Sequence, residues 1–241
     1  MHSNLHARPN ARLSARAASL ALLTLLALPA SAVTVLNHSF ESSTIADGSP
    51  GVATSWTLFN TGGALGNGAY NPLEENFTGA TGTGTPLGAD GTNVFSTNVG
   101  TTTPGQSGAY QVLTGEALTA GTTYTMTVAI GDYLGLTPGN WHLAISTSSM
   151  GVGTYLSDFS GSAGSLTDDQ FNDFSVSYTA TGAESQIGED MKITFWGQND
   201  AGGQQFVPFD NVRLTAVAIP EPSAALLGGL GLLFLARRRR N

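Results

Sequence analysis

The stretch Tyr124-Thr125-Met126-Thr127-Val128-Ala129-Ile130 decides the fold class. Tyr124, Met126, Val128 and Ile130 fall on one face of an extended chain, and Thr125, Thr127 and Ala129 fall on the other. This period of two predicts a half-buried strand, one face in the core and one towards solvent. The pattern recurs along the chain. Trp141, Leu143 and Ile145 alternate with His142, Ala144 and Ser146. Phe174, Val176 and Tyr178 alternate with Ser175 and Ser177, and Met191, Ile193 and Phe195 alternate with Lys192, Thr194 and Trp196. Shorter candidate strands are Thr34 to Leu36, Trp56 to Phe59, Asn93 to Ser96, Tyr110 to Leu113, Gly153 to Leu156 and Val212 to Ala216. Turn signals such as Thr137-Pro138-Gly139-Asn140 separate them. No segment between has the 3.6-residue period of an amphipathic helix. Many short strands joined by Gly-rich turns predict an all-β fold, an antiparallel sandwich.

Asn60 to Thr92 breaks the pattern. It is rich in Gly, Thr and Asn, holds Glu74-Glu75 and the run Thr81-Gly82-Thr83-Gly84-Thr85, and reads as one long mobile loop. Its glycines fit neither a dinucleotide nor a P-loop spacing, and no basic residue is near.

Charge excludes one class of partner. Of the seventeen Asp and Glu, all but Glu221 lie between Val33 and Ile219, sixteen in all, against only Lys192 and Arg213 there. A surface so acidic repels a phosphate backbone, so nucleic acid is excluded and divalent cations are favoured. The absence of cysteine rules out disulfides and thiolate metal sites. His38 and His142 are the histidines outside the first 32 residues, and neither a zinc-protease nor a nucleophile-elbow motif occurs. The reading is therefore a domain without catalytic activity, and the alternative is a secreted, glycoside-active hydrolase whose site carries no motif. For sugar binding an aromatic ring must stand on a polar face, where it stacks on a pyranose while its neighbours bond the hydroxyls. Trp196 and Tyr133 are the candidates, with packing over the second sandwich face as the other reading of Trp196. Trp56 and Trp141 are expected to be core residues. Asp168-Asp169 and Asp173 lack the spacing of a calcium loop and are expected in a solvated turn.

Both ends of the chain carry targeting signals. Arg8, Arg12 and Arg16, the apolar run Ala17 to Leu28 and the small residues Ala30-Ser31-Ala32 form a signal peptide over residues 1–32, so the mature chain begins near Val33. At the other end Pro220-Glu221-Pro222 precedes an uncharged segment, expected to be a transmembrane helix over residues 223–236, and then Arg237, Arg238, Arg239 and Arg240. The apolar part, Ala224 to Ala236, spans about 20 Å as a helix, short of a bilayer. The arginines hold its end in the cytoplasm and leave the domain, residues 33–218, outside. The two prolines keep the preceding stretch extended.

The tail, residues 219–241, resembles the PEP-CTERM sorting signal of Gram-negative bacteria. That resemblance implies processing by an exosortase near Pro220-Glu221-Pro222, passage through the inner membrane, and delivery to the cell surface or to an exopolysaccharide matrix, with extracellular polysaccharide as the partner. A second resemblance rests on Asn37-His38-Ser39-Phe40-Glu41, Ser55-Trp56, Leu118 to Tyr124 and Phe209-Asp210-Asn211-Val212-Arg213-Leu214. These are similar to the corresponding segments of galactose-binding-like jelly rolls, including carbohydrate-binding modules. It implies a jelly-roll topology with the first strand, near Val33 to Leu36, beside the last, near Val212 to Ala216. It also implies a structural calcium held by Glu41 and Asp210 with backbone carbonyls, the other reading being that both carboxylates only accept hydrogen bonds from turn N–H groups.

The tail generates a direct test. Replacing Pro220, Glu221 and Pro222 together should leave membrane insertion intact and block processing, so that a larger precursor accumulates on immunoblots of fractionated cells. A mature protein of unchanged size and location would sink the sorting-signal reading.

Overall fold

The computed structural model describes residues 30–77, 88–100, 105–166, 170–199, 203–219 and 237–238. The chain forms two units. Met1–Ala27 with Pro222–Asn241 is one, of which Arg237 and Arg238 are described and are helical. Leu28–Glu221 is the other and holds the strands.

Among the described residues twelve strands build this unit: β1 (Ser31–Val33), β2 (Ser49–Gly51), β3 (Thr57–Thr61), β4 (Ala64–Asn71), β5 (Val94–Val99), β6 (Gly105–Ala117), β7 (Thr122–Gly131), β8 (Asn140–Thr147), β9 (Ser157–Gly161), β10 (Phe171–Ala180), β11 (Asp190–Asn199) and β12 (Gln205–Ala218). Single 3-10 turns lie at Glu74–Asn76 and Ala163–Ser165. Seven strands form one sheet in the order β10-β7-β12-β5-β4-β2, with β1 beside β12. Five form the other, β3-β6-β11-β8-β9. All strand pairs are antiparallel. The all-β sandwich expected from the sequence is the fold found, and the first and last strands are neighbours, Val33 opposite Leu214.

The alternation in β7 works as read. Tyr124, Met126, Val128 and Ile130 enter the core between the sheets. Thr123, Thr125 and Thr127 point outward and share hydroxyl hydrogen bonds of 2.9, 2.9 and 2.7 Å with Thr179, Ser177 and Ser175 of β10. The Tyr124 hydroxyl donates to the Ala117 carbonyl (3.0 Å) and accepts from the Thr119 N–H (2.9 Å), which pins the β6–β7 hairpin. Trp56 and Trp141 are core residues, as expected. A second, smaller apolar cluster of Phe77, Val94, Ala129, Tyr133 and Phe171 lies outside the main core.

Several boundaries differ from the sequence reading. Within the expected loop Asn60–Thr92 the chain forms β4 and the turn at Glu74–Asn76, while residues 78–87, including the Thr81–Thr85 run, lie outside the described residues. Pairing with β5 and β2 holds β4 in place despite Gly66 and Gly68, because a sheet neighbour on either side overrides the weak strand preference of glycine. The strand expected at Gly153–Leu156 begins instead at Ser157, where Leu143 to Ile145 offer partners. β1 runs through the expected cleavage site, pairing Ser31 and Ala32 with Ala216 and Thr215, rather than over Thr34–Leu36. Asp173 sits in β10 and pairs with Arg213, so it is not in a turn; Asp168-Asp169 lie outside the described residues. Among the described residues no helix is long and apolar enough to cross a membrane. The expected membrane helix 223–236, Pro220-Glu221-Pro222 and Arg239-Arg240 lie outside them.

Phe195 of β11 is fully buried and its ring contacts those of Trp56, Phe95 and Phe209 at centroid distances of 5.1, 5.0 and 4.8 Å. Phe195→Ala should therefore destabilise the fold by about 3–5 kcal/mol, read as a fall of roughly 10 °C or more in Tm.

Candidate functional site

A cleft of about 410 Å³ crosses the outer face of the larger sheet. Its floor follows from strand register. Gly66 lies opposite Asn98, which lies opposite Phe206; Gly68 lies opposite Ser96, which lies opposite Pro208; Pro50 lies opposite Tyr70, which lies opposite Val94. Glycine at 66 and 68 leaves the β4 floor without side chains between the rings of Tyr70 and Phe206. The Tyr133 ring, on the segment after β7, meets both edge-on, at 6.5 Å (88°) and 6.4 Å (83°). Asn76, Ser96 and Asn98 supply polar groups, Pro50 and Leu136 complete the rim, and among the described residues the lining carries no charged side chain. The Asn98 carboxamide oxygen accepts from Gln204 Nε2 (2.9 Å). The arrangement is an aromatic trough with amides along its floor, suited to a neutral ring-shaped ligand with hydroxyl or carbonyl groups.

Tyr133, selected from the sequence as a sugar-stacking ring, stands at the cleft as part of its wall. It is only 4% exposed. Its hydroxyl is buried without a well-formed hydrogen bond, although Ser96 is near, and burial pushes the phenol well above its ordinary pKa. A second hollow of about 390 Å³ lies behind it, lined by Asp132, Leu134, Leu136, Pro138, Ala163 and Leu166 among others. Sequence reasoning does not single out Tyr70, Phe206 or Asp132, because the glycines of β4 carry no alternation and the trough is assembled by sheet register.

Trp196 is not part of this cleft. It points out of the five-stranded sheet, as its position predicts, yet is only 3% exposed. The reason is cover from neighbours: His142 stacks on it at 4.5 Å and Tyr155 at 5.3 Å.

Glu41 and Asp210 are brought to one loop. Glu41 Oε1 accepts from the Thr92 and Asn93 N–H groups at 2.6 and 2.5 Å, and Oε2 accepts from Asn93 Nδ2 at 3.1 Å. Asp210 Oδ2 accepts from the Asp90 N–H at 2.5 Å, and the Asp90 carboxylate faces His38 Nε2 at 3.2 Å. Both carboxylates therefore do act as turn acceptors. Gly91 fits closely against Glu41, since a Cβ there would meet Oε1 at 2.4 Å. One feature goes beyond turn anchoring: Asp210 is fully buried and, among the described residues, its Oδ1 has no well-formed hydrogen bond. Burial raises its pKa to about 8, helped by the charges of Asp90 and Glu41 and opposed by the Asp90 and Asn211 N–H groups. A hard cation could use that oxygen, though among the described residues no three His, Asp or Glu converge.

Two family models match the chain. One, described as HpiC1 cyclase, covers residues 31–215. The chain belongs to the HpiC1-like family. The other is the PEP-CTERM protein-sorting motif over residues 218–240, which bears out the reading of the tail and marks the protein for export. Among solved structures, the HpiC1-like domain is similar to a Stig cyclase, Fisc, from Fischerella sp. TAU in complex with (3Z)-3-(1-methyl-2-pyrrolidinylidene)-3H-indole. The TM-score is 0.61 at 20% identity, over 80% of this chain and 100% of that one. A cyclase of the same organism in complex with 4-(1H-indol-3-yl)butan-2-one matches with a TM-score of 0.60 at 20% identity, covering 79% and 99%. An α-L-arabinofuranosidase in complex with arabinose matches at 0.51 and 16% identity, covering 77% of this chain and 26% of that one. At these identities the likeness is one of fold. The search among curated proteins returned no match.

The raised pKa of Asp210 has a sign that can be measured. Folded Asp210 keeps its proton to about pH 8, whereas an unfolded Asp releases it near pH 4. The folded state binds more protons in this window, so stability is full below about pH 4 and falls as pH rises towards 8. Asp210→Asn should flatten this part of the Tm-against-pH curve in metal-free buffer.

Proposed function

We propose that the chain is an exported protein of the cell surface or exopolysaccharide matrix whose HpiC1-like domain binds carbohydrate in the trough between Tyr70 and Phe206. On this reading residues 1–32 are removed as a signal peptide. The segment 223–236 then holds a membrane intermediate by its Arg237–Arg240 end, and exosortase acts at Pro220-Glu221-Pro222. The observation that carries the binding reading is the glycine-floored trough itself, with three aromatic rings and amide groups around an uncharged opening. A pyranose presents an apolar face to a ring and hydroxyls to amides, which is the chemistry this lining offers. Sixteen acids against two bases in the domain favour neutral over anionic polymers.

Glu41 and Asp210 fit a structural calcium ion at the joint of β12 with the loop before β5. Asp210 Oδ1, without a well-formed hydrogen bond among the described residues, is the available ligand, and the cation would supply the charge that lets this buried carboxylate ionise.

Membership of a cyclase family favours a second reading, in which the two hollows hold a planar aromatic substrate. The buried carboxyl of Asp132, beside Tyr133, would then face the reacting molecule. The glycoside-active alternative has less support, because among the described residues Asp132 is the one carboxylate lining either hollow and a glycosidase uses a pair.

Polysaccharide pull-down and a glycan array separate these readings. Phe206→Ala and Tyr70→Ala should each weaken glycan binding about tenfold or more, the loss of one stacked ring. Binding and turnover of 4-(1H-indol-3-yl)butan-2-one derivatives without glycan binding would favour the cyclase reading. For calcium, EDTA should lower Tm and Asp210→Ala should abolish that sensitivity, since a ligand held by the folded state alone stabilises it. A melting curve indifferent to EDTA would leave the two carboxylates as turn acceptors.

A further inference from the structure

The outer face of the five-stranded sheet carries a second set of rings, remote in strand order from the trough. Cross-strand pairing places Phe59, Gly108, Trp196 and His142 in one row across β3, β6, β11 and β8. Gly108 is obligatory beside Trp196: a Cβ there would lie 2.2 Å from the Phe195 carbonyl oxygen and 2.5 Å from Trp196 Cβ. The His142 ring lies parallel to the indole, within 5° at 4.5 Å. Tyr155, from a connection outside the sheet, adds a second stacked ring to the indole, at 5.3 Å and 24°.

Tyr155 belongs to the connection 148–156 between β8 and β9, in which residues 148, 149 and 151–154 are exposed. Its hydroxyl accepts from the N–H of Gly153 in the same connection, at 3.0 Å. The connection is tied to the sheet at other points: Lys192 Nζ donates to the Met150 carbonyl, Ser149 Oγ donates to Glu189 Oε2 at 2.5 Å, and the Leu156 N–H donates to the Ile145 carbonyl at 2.9 Å. Movement of the Tyr155 ring therefore leaves these anchors in place. Among the described residues the buried Trp196 indole N–H has no acceptor, an arrangement that folded proteins avoid because a desolvated donor is costly.

We propose that Trp196 is a second, covered binding platform for a neutral hexopyranose unit, and that the Tyr155 ring occupies the place of the sugar. A pyranose that displaces Tyr155 stacks its C–H face on the indole, as the phenol ring does now, and brings the ring or hydroxyl oxygens that Nε1–H lacks. Gln198, two residues along β11 and so on the same outer face, is joined to Gln106 by an amide hydrogen bond of 3.1 Å, and this pair offers further polar groups beside the indole. The sugar is neutral because the cation on this face, Lys192, is engaged by the Met150 carbonyl and the Tyr110 ring, with Nζ 5.6 Å from the ring centroid. The domain's excess of acids also repels uronates and sulfated sugars. The closed Tyr155 conformer lowers the apparent affinity by the fraction of molecules that are uncovered, and removing the cover restores it.

The test uses the full chain on an array of neutral, uronate and sulfated glycans. Tyr155→Ala should bind at least one neutral hexopyranose glycan about tenfold more tightly than the unaltered protein. Adding Trp196→Phe should abolish the gain, while adding Phe206→Ala, which acts on the trough, should leave it. Acrylamide should quench one further tryptophan of the three in Tyr155→Ala and none further when Trp196 is also replaced. If Tyr155→Ala melts too early to assay, Tyr155→Leu keeps apolar bulk and carries the same comparison. No tightening towards any neutral glycan, or a gain that survives Trp196→Phe, overturns the proposal. Loss of binding in Phe206→Ala alone bears on the trough and not on Trp196.

Discussion

The packing of Phe195 against both sheets is the constraint on which the rest of the molecule depends. Its side chain leaves the five-stranded sheet and meets Phe95 and Phe209 of the other, with Trp56 and Phe40 closing the cluster. Phe40 comes from a turn and not from a strand, and the backbone must bend to deliver it. Asn37 and Phe40 both take left-handed φ values, 48° and 59°, which non-glycine residues adopt only at a cost. Burial of the Phe40 ring offsets that cost, as does the hydrogen bond from the Trp56 indole N–H to the Asn37 carbonyl at 3.1 Å.

Once Phe40 points inward, the next residue points out, and Glu41 is carried to the N–H groups of Thr92 and Asn93. The same packing sets the far end of the chain. Phe209 is in the core and Asp210 on the opposite face of β12, after which a bulge with Asn211 at φ 46° restores Val212 and Leu214 to the core. A carboxylate is thus sealed under the loop that precedes β5, without solvent to ionise it. The core geometry and the unusual acidity of Asp210 have one origin.

The trough arises in the opposite way, from side chains withheld. An outer sheet face with a residue at every second position would be flat. Gly66 and Gly68 clear two positions of β4, and Tyr70 and Phe206 stand at the sides. On the second sheet Gly108 makes room for close approach of Trp196, and a neighbouring connection lays Tyr155 on the indole. The two outer faces therefore present different chemistry, one open and one covered.

Much of the fold was legible in the chain. Period-two alternation identified β7, β8, β10 and β11, because a strand buried on one face leaves that mark locally. The sorting signal was legible for a related reason, since Pro220-Glu221-Pro222, an uncharged segment and four arginines act as a linear address. β4 was not legible, because its glycines erase the alternation and the evidence for it lies in β5 and β2, its neighbours in space. Trp196 shows the limit most clearly. Its side of the strand could be counted from Phe195, but its exposure depends on Tyr155, forty-one residues earlier and placed over it by a connection whose path no local pattern records. The trough likewise joins Tyr70, Tyr133 and Phe206, which meet only through sheet register. By itself the sequence determined the class of fold and the address of the protein, both of which rest on local periodicity and order. The tertiary structure decided which rings are open, which are covered and which carboxylate loses its water, because burial is a property of neighbours distant in the chain.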